Sequence, residues 1–510
     1  MHNFLNDWGL ILITFVPLLG GLVMMAIPKD SEETHKVIAL LASGVSLVLG
    51  ILLLVNFNYG RGGHLQFVVD HPWIPLIHSR FILGIDGISL PLMLLTVLVV
   101  PLVIIYSWDH IPDPGNAKAF LALILLLETG MIGSFVAEDL ILFFVFFEIV
   151  LLPMFFMIGV WGGPDRKYAS IKFFLYTLFG SALMIVSFVA LYFMSRVQTF
   201  DMRVLQDLGA AGIARGAQVL IFGGMFMGFG ITVPMFPFHT WLPDAHTQAP
   251  TQGSVILAAV LLKLGTYGFV RIALPFLPRG AQAWAPVIAV LAVIGIIYGA
   301  LGCLAQTDMK RLIAFSSVAH MGFVMLAIAT LTDFGINAAV FGMVALGLIT
   351  GMLFFIAGSV KERYHTLEIS RLGGLLVQAP KLGWILGLCA MASLGLPGLA
   401  GFWGEFPAIL SAYQPAEMLS EPLFRTLMVI AALGTVLAAG YLLWLYQRTA
   451  FGTPTEEFAE DPHIHDVTMP EWIAWVPLLV LIVVLGFLPN LIFHMTNPAA
   501  TAIAAAATGG

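Results

Sequence analysis

The sequence has little charge and almost no cysteine. Only 10% of its 510 residues are charged, whereas soluble globular chains carry about 25%, so this charge cannot cover the surface of soluble domains. The 22 basic residues form no run that could follow a phosphate backbone, which excludes a nucleic-acid-binding protein. The two cysteines, Cys303 and Cys389, lie in apolar stretches, so neither a disulfide framework nor a cysteine-based metal site is expected.

What the sequence has in abundance is apolar residues. They make up 60% of the chain, and the mean hydropathy is +0.98. That amount would supply roughly fourteen or fifteen membrane spans of about 20 residues each. The first apolar run follows Asp7 and has no small-residue cleavage site, so we expect a retained helix and not a signal peptide. The composition predicts an all-α, polytopic membrane protein that forms a single membrane domain over residues 1–510.

Apolar runs bounded by charged residues or Pro/Gly clusters predict about fourteen transmembrane helices, because exposed backbone cannot be hydrated in lipid. The predicted spans are 9–27, 37–56, 84–106, 119–137, 139–161, 169–194, 216–237, 252–274, 283–304, 312–331, 336–358, 379–411, 425–447 and 471–495. Residues 499–510 read as an Ala/Gly tail. Thirteen Lys and Arg residues lie in the odd-numbered connections and eight, including Arg271, in the even-numbered ones. This bias predicts cytoplasmic odd connections, both termini on the outer side, and Lys263 as the one cation within a span.

Two of the spans are interrupted in a similar way. Residues 232–245 read TVPMFPFHTWLPDA and residues 394–407 read LGLPGLAGFWGEFP. Five spans separate the two stretches, and an odd number of crossings inverts the second copy relative to the first. This pattern favours an inverted repeat built around broken helices, a common construction in ion-translocating membrane proteins. The alternative is a pair of ordinary proline kinks.

A few ionisable side chains lie inside the predicted spans. Burying a charge in the bilayer is costly, so such residues commonly mark functional sites. Glu148 is midway along ILFFVFFEIVLLPMFF, and Lys263 is too deep in its span to reach the interface easily. The deep positions of these two residues favour a functional role for them, and not that of a charge at a helix end that reaches the interface. Glu405 follows the second broken helix, although it could simply be a hydrated helix end.

For His320 and Glu128 a functional and a structural role are equally supported by the sequence. His320 shares a helix face with Ser316 and Ser317, which would suit a proton relay, but a lone helical histidine is as often just hydrogen-bonded in a bundle. Glu128 could face Lys263 or water. The set His239, Asp244 and His246 lacks convincing metal-ligand spacing, so no metal is expected.

Three segments carry a resemblance to a known family. They are 237–274 (PFHTWLPDAHTQAPTQGSVILAAVLLKLGTYGFVRIALP), 306–323 (QTDMKRLIAFSSVAHMGF) and 395–406 (GLPGLAGFWGEF). They strongly resemble the subunit M family of NADH–quinone oxidoreductase, the bacterial counterpart of the chain-4 subunit of respiratory complex I. The resemblance implies three N-terminal helices in residues 1–118, inverted five-helix repeats at about 119–275 and 283–447, and a last helix and tail in 448–510.

The resemblance also implies a function. It predicts a proton-translocating, antiporter-like subunit of the membrane arm, driven by quinone reduction elsewhere in the enzyme, in a bacterial inner membrane. By motif position, Glu148 matches the carboxylate of the family's fifth helix, Lys263 the central lysine of the eighth, His320 the relay histidine and Glu405 the carboxylate of the twelfth. No cofactor is expected in this chain. FMN, iron–sulfur clusters and quinone would belong to partner subunits of the L, N, K, J, A and H types and others.

Two positions depart from the family pattern. Thr232 stands where the family has a lysine on the seventh helix, and Leu346 where it has a histidine on the eleventh. In the family that lysine partners the fifth-helix glutamate. The departures motivate one alternative, a structural subunit of the same complex that no longer pumps. A further alternative, built on the same fold, is an Mrp-type cation/proton antiporter or membrane hydrogenase subunit.

Overall fold

The computed structural model describes residues 4–509 and consists mainly of long helices. Numbered in chain order, the helices are α1 Leu5–Met25, α2 Glu32–Asn56, α3 Ser89–Tyr106, α4 Ala117–Val136, α5 Leu140–Trp161, α6 Arg166–Met194, α7 Met202–Leu208, α8 Arg215–Thr232, α9 Trp241–Gln248, α10 Thr251–Phe276, α11 Pro278–Leu304, α12 Met309–Ala329, α13 Asp333–Tyr364, α14 Leu375–Gln378, α15 Pro380–Ser393, α16 Ala400–Ser411, α17 Glu421–Ala450, α18 Met469–Phe487 and α19 Asn490–Thr508. Twelve of them are long and apolar enough to cross a membrane.

The predicted seventh and twelfth spans are both broken. The seventh consists of α8 and α9, and the twelfth of α15 and α16. Together with the twelve continuous helices they make fourteen spans, which confirms the predicted helix count and the two broken helices. The division of the chain into repeats at 119–275 and 283–447 stays a prediction.

A short antiparallel hairpin was missed by the sequence analysis. Strand β1 (Gln66–Ile74) pairs with β2 (Ser79–Ile85) in the connection before α3. The predicted span 84–106 is therefore too long at its start: Asp86 Oδ1 accepts the N–H groups of Ile88 and Ser89 at 3.0 Å each, and the helix begins there. This cap is why the apolar run does not continue as one helix.

The C-terminal stretch is also different from the prediction. The last apolar span ends at Phe487 instead of residue 495, since Pro489 interrupts the backbone, and the predicted tail is the helix α19. Alanine has the highest helix propensity, and Ala499, Ala500 and Ile503 are buried where α19 packs on α13 and α11. Residues 1–3 and 510, the ends of the predicted single domain, lie outside the described residues.

The helices divide into an inner and an outer set. In α10 and α13 the whole apolar segment is buried, whereas in α6 and α17 only a third of it is. The outer helices therefore present apolar side chains such as Leu175 and Phe193 toward lipid. The inner helices carry polar groups, and the bilayer cannot satisfy those groups.

The prediction that Lys263 is the one cation within a span was wrong. Arg271 lies inside α10, not in a connection, and its guanidinium pairs with Asp86 at 2.7 Å and Glu138 at 2.5 Å. All three side chains are buried. A charge can be buried when an opposite charge pairs with it. This pairing allows Arg271 to lie inside α10, although the sequence analysis assigned it to a connection.

A second buried ion pair joins the end of α13 to the start of α18. Arg363 donates to both carboxylate oxygens of Glu471, at 2.9 and 2.8 Å, and the Ser359 hydroxyl also donates to that carboxylate. Thr468 and the same glutamate also form a capping box at the N-terminus of α18. The pair thus connects an inner helix to the last transmembrane helix.

We predict that Glu471→Ala destabilises the protein by about 3–5 kcal/mol, because it leaves Arg363 charged and unpaired in a buried site. The measurement is thermal unfolding of the detergent-solubilised chain. Glu457→Ala is the matched control, since it breaks an arginine–glutamate pair, with Arg371, that is exposed to solvent. Equal melting temperatures for the two variants would contradict the prediction.

Candidate functional site

Lys263 lies at an irregular turn near the middle of α10. The N–H of Leu262 donates to the carbonyl of Leu257, five residues back, instead of to that of Ala258. The Ala258 oxygen is thereby left without its usual helical partner, and the Lys263 ammonium donates to it at 2.6 Å. Wide turns of this type are often found at functional sites. The turn gives the buried lysine a neutral acceptor in place of an anionic one.

No carboxylate pairs with Lys263 within residues 4–509. The Lys263 side chain is fully buried, and the Glu128 carboxylate, also fully buried, has no hydrogen-bond partner for either oxygen among these residues. The structure therefore does not bring Glu128 and Lys263 together as an ion pair. Both groups stand alone in the interior, a position that otherwise favours loss of charge.

A polar cavity of about 580 Å³ opens on the face of the odd-numbered connections. Lys310 lies at its inner wall and donates to the Ala249 carbonyl at 2.5 Å. His110 pairs with Glu362 across the opening at 2.8 Å. Burial lowers the pKa of His110, but its pairing with the negative Glu362 carboxylate and its hydrogen bond to the Tyr106 carbonyl together more than offset this effect and raise the pKa above its ordinary value.

His246 was missed as a site residue, because the sequence analysis considered it only as a weak metal ligand. It is fully buried, stacks on Phe354 with ring centroids 4.3 Å apart, and has no hydrogen-bond partner for either ring nitrogen among the described residues. The positive charges of Lys310 and Lys263 both act electrostatically on its ring.

His320 and Glu405, predicted separately, form one cluster at the second broken helix. The imidazole Nδ1 contacts Glu405 Oε1 at 2.5 Å, and Nε2 lies 3.2 Å from the Ser393 hydroxyl and 3.1 Å from the Tyr441 hydroxyl. All four side chains are buried. Ser393 ends α15 just before the predicted break, and that break is a sequence signal that could have identified it. Tyr441 lies in an ordinary apolar run, which gives no such signal.

The two predicted relay serines do not contact the imidazole of His320. Ser316 and Ser317 are buried, but both hydroxyls donate to the carbonyl of Ile313, at 2.7 and 3.2 Å. Such bonds to the preceding turn are common for serine within helices. Their role in proton transfer stays a prediction.

Glu148 and Thr232 line the same small cavity between α5, α6 and α8. Glu148 is half-buried and has no charged partner among the described residues. The hydroxyl of the nearby Ser181 donates within its own helix, to the Thr177 carbonyl at 3.0 Å. Thr232 donates to the Gly228 carbonyl at 3.1 Å. The threonine thus stands beside the carboxylate, where the resemblance places a lysine.

Leu346 lies on α13, which packs against both the helix of Lys263 and the helix of Glu405. Gly347 approaches Ala259, next to the carbonyl acceptor of Lys263, and Gly342 approaches Gly404, next to Glu405. A Cβ on Gly404 would lie 2.7 Å from the Gly342 Cα, so only glycine permits this contact. Leu346 is four residues from Gly342 and thus on the same helix face. It places an apolar side chain on the face that joins the two sites.

Comparisons with known proteins agree with this arrangement. A family model described as NADH:quinone oxidoreductase/Mrp antiporter, TM, matches residues 137–438, and one described as NADH-ubiquinone oxidoreductase chain 4, amino terminus, matches 14–134. The chain is 41% identical to NADH-quinone oxidoreductase subunit M of Rhodobacter capsulatus, covering 98% of this chain and 96% of the relative. It is 36% identical to NAD(P)H-quinone oxidoreductase chain 4 1 of Nostoc, covering 99% and 93%.

Solved structures are similar as well. A chain of respiratory complex I from Thermus thermophilus with bound NADH superposes with a TM-score of 0.87 at 29% identity, covering 98% of this chain and all of that one. A chain of the Mrp complex from Dietzia has a TM-score of 0.82 at 21% identity, covering 98% and 52%. The second likeness concerns the fold alone.

The fourteen spans, two broken helices and buried charges define an antiporter-like, multi-pass membrane subunit. The chain belongs to the NADH:quinone oxidoreductase subunit M and chain 4 family. It is a membrane subunit of the complex I type, which works with other membrane-arm subunits. Within residues 4–509, no group of three or more His, Cys, Asp or Glu side chains is placed to hold a metal ion.

We predict that the loop around His110 is most stable at low pH. Because the pKa of His110 is raised on folding, its pair with Glu362 stabilises the folded loop fully below the unfolded value of about 6.5, and this stability is lost as the pH rises through the folded pKa. Hydrogen exchange of residues 107–116 measures it. Relative to His110→Gln, the native loop should lose protection as the pH rises; parallel pH profiles would contradict this.

Proposed function

We propose that the chain conducts protons across the membrane as a non-redox subunit of a NADH:quinone oxidoreductase. The observation that carries the proposal is Lys263. It is fully enclosed near the middle of α10, whose apolar segment is wholly buried, and it lacks a carboxylate partner among the described residues. A buried amine without a counter-ion can gain and release a proton more readily than one fixed in an ion pair.

The inlet would be the polar cavity on the face of the odd-numbered connections. His246 would be the next carrier after Lys310 in the cavity wall, because the charges of Lys310 and Lys263 both act on it and neither of its ring nitrogens has a hydrogen-bond partner among the described residues. A neutral imidazole accepts a proton on one nitrogen and releases one from the other, so it transfers protons without moving. Water would bridge the remaining gaps.

The outlet would begin at the His320–Glu405 pair. Glu405 Oε2 has no hydrogen-bond partner among the described residues. A cavity of about 570 Å³ lies beside Trp403, Phe406 and Pro407, which flank Glu405 in α16, and Asn337 and His494 add polar groups to it. Its lining includes residues from the even-numbered connections, opposite to the inlet. A proton released from Glu405 would leave through this opening.

The direction of flow follows from the predicted orientation. With odd connections in the cytoplasm and both termini outside, protons would move from a bacterial cytoplasm across the inner membrane. The energy would come from partner subunits that hold FMN, iron–sulfur clusters and quinone. The described residues that line this path offer carboxylates, amines and imidazoles, which are groups suited to protons.

We predict that Lys263→Ala in the assembled enzyme lowers proton flow through this chain by ~100-fold or more, since the path loses its central acid–base group. The measurement is the proton-to-electron ratio of NADH oxidation in sealed vesicles. Lys167→Ala, at an exposed position, is the control. An undiminished ratio in Lys263→Ala, with normal assembly, would refute the path.

A second candidate function is a structural subunit that no longer pumps. Two observations favour it: Thr232 gives Glu148 no cation, and Leu346 places an apolar side chain on the helix face between Lys263 and Glu405. An Mrp-type antiporter or membrane hydrogenase subunit is a further alternative with the same fold. Copurification of an NADH-oxidising arm that contains flavin and iron–sulfur clusters would exclude that alternative.

We predict that Thr232→Lys leaves the proton-to-electron ratio unchanged if the native chain already conducts, because Lys263 and His246 do not depend on residue 232. The same vesicle measurement discriminates the two functions. A ratio that rises in Thr232→Lys would show that the native path is idle or impaired, and would favour the structural subunit. Thr232→Val serves as the control for the change of side chain without charge.

A further inference from the structure

Basic side chains cluster in the polar cavity on the face of the odd-numbered connections. Arg166 lies at the start of α6, Lys310 in the first turn of α12 and Lys361 in the last turn of α13, and all three line the cavity. They are far apart in the sequence, so the fold alone brings them together. The positive charge of Lys361 acts on Lys310, and a cleft lined by charges of one sign attracts counter-ions.

The acidic residues of the cavity do not balance these basic groups. The carboxylates among its lining residues are Asp113 and Glu362. Glu362 is already engaged, since it pairs with His110 at 2.8 Å. Asp308 also acts on Lys310, but its side chain is used as the N-cap of α12. Among the lining residues, the exposed Asp113 alone remains to balance three basic side chains.

The hydrogen-bond donors of these side chains are only partly used. Lys310 is almost fully buried, and its ammonium group donates to the Ala249 carbonyl at 2.5 Å, which leaves its other N–H groups free. The Arg166 guanidinium donates to the Gly162 carbonyl at 3.2 Å, and most of its N–H groups are likewise free. The cavity therefore offers donors to a ligand that accepts several hydrogen bonds.

The start of α10 adds backbone donors to the same cavity. Thr251 and Gln252, its first residues, line the cavity, and the N–H groups of a first helical turn have no partner within the helix. Gly358 of α13 allows this arrangement, because a Cβ there would lie 2.3 Å from the Thr251 hydroxyl oxygen. The positive end of the α10 dipole thus adds to the field of the basic side chains.

We propose that this cavity binds a phosphate group, held by Arg166, Lys310 and Lys361 and by the first backbone N–H groups of α10. A phosphate group is an anion with several strong acceptor oxygens, which matches basic side chains that have free protons and no carboxylate partner. Arginine suits it in particular, because the planar guanidinium can donate two parallel hydrogen bonds to phosphate oxygens. Helix N-termini bind phosphate through the same combination of N–H groups and positive field.

Two sources of the phosphate group are compatible with the cavity. Its volume of about 580 Å³ accommodates a small phosphate compound from the aqueous side or the headgroup of an anionic lipid. Basic pockets between transmembrane helices are typical of lipid-headgroup sites on the cytoplasmic side, where the predicted orientation places this face. The proposal does not rest on proton conduction, because phosphate binding can be measured without turnover.

The first experiment measures retention of radioactive inorganic phosphate by the purified, delipidated complex, with chloride as the background anion. Native complex is compared with Arg166→Gln and Lys361→Gln, which each remove one positive charge, and with Lys361→Arg, which keeps it. Lys381→Gln is the matched control, since Lys381 is an exposed lysine from the odd-numbered connections that does not line the cavity.

We expect the native complex to bind phosphate roughly 10-fold more tightly than either Arg166→Gln or Lys361→Gln, because each variant loses a charge-assisted hydrogen bond. Lys361→Arg and Lys381→Gln should match the native complex. Equal retention by the native complex and both cavity variants, together with no protection of Lys361 by lipid in the labelling experiment below, would overturn the proposal.

Lysine labelling of the native complex separates the two sources and needs no variant to assemble. The rate at which acetic anhydride modifies Lys361 is followed by mass spectrometry of its peptide. A slower rate in inorganic phosphate than in chloride, at equal ionic strength, identifies a free phosphate compound. A slower rate in vesicles of phosphatidylglycerol than in vesicles of phosphatidylcholine, without free phosphate, identifies a lipid headgroup.

The exposed Lys381 is the internal control for labelling, and its rate should not change in either comparison. An unchanged rate at Lys361 in both comparisons would overturn the proposal. Equal slowing of Lys361 and Lys381 would also overturn it, because that result reflects a general effect of the anion on exposed lysines and not a site in the cavity.

Discussion

Backbone carbonyls accept hydrogen bonds from three of the buried cations of this protein. Lys263 donates to Ala258, Lys310 to Ala249 at the junction of α9 and α10, and Arg363 to the carbonyl of His465. Lipid offers no hydrogen bonds, so each irregular turn must be enclosed by protein. That requirement explains why α10 and α13 are fully internal while α6 and α17 face lipid. The same turns that would be costly in lipid supply acceptors for charge inside the bundle.

The two halves of the molecule treat their central charges differently. In the first half, Lys263 has a carbonyl and no anion among the described residues, whereas in the second half His320 is fixed by Glu405, Ser393 and Tyr441. Even the tryptophans at the two breaks differ: Trp241 donates to Ile231 of its own broken helix, and Trp403 donates to Gly486 of α18. Thr232 and Leu346 lie outside both of these central groups, Thr232 beside Glu148 and Leu346 on α13.

The sequence predicted the number of spans and the two breaks, because long apolar runs and proline clusters are local signals. It could not predict the His320–Glu405 contact, which joins residues 85 positions apart, nor the role of Tyr441, which looks like any membrane aromatic. Arg271 was misplaced because its partners, Asp86 and Glu138, are distant in sequence. The helix α19 was missed because an Ala-rich stretch is weakly apolar, although it packs well. Contacts between distant segments are what periodicity and composition leave out.

The central claim is that solitary charged groups in the interior are kept hydrated and within reach of one another. The most direct measurement is a density map of the assembled complex at a resolution that shows ordered water. We predict water molecules at the free ring nitrogens of His246 and at Glu405 Oε2, linking the inlet cavity to Lys263 and the outlet to Glu405. A map that resolves water elsewhere in the membrane arm but shows these atoms packed against hydrocarbon, with no space between, would contradict the claim.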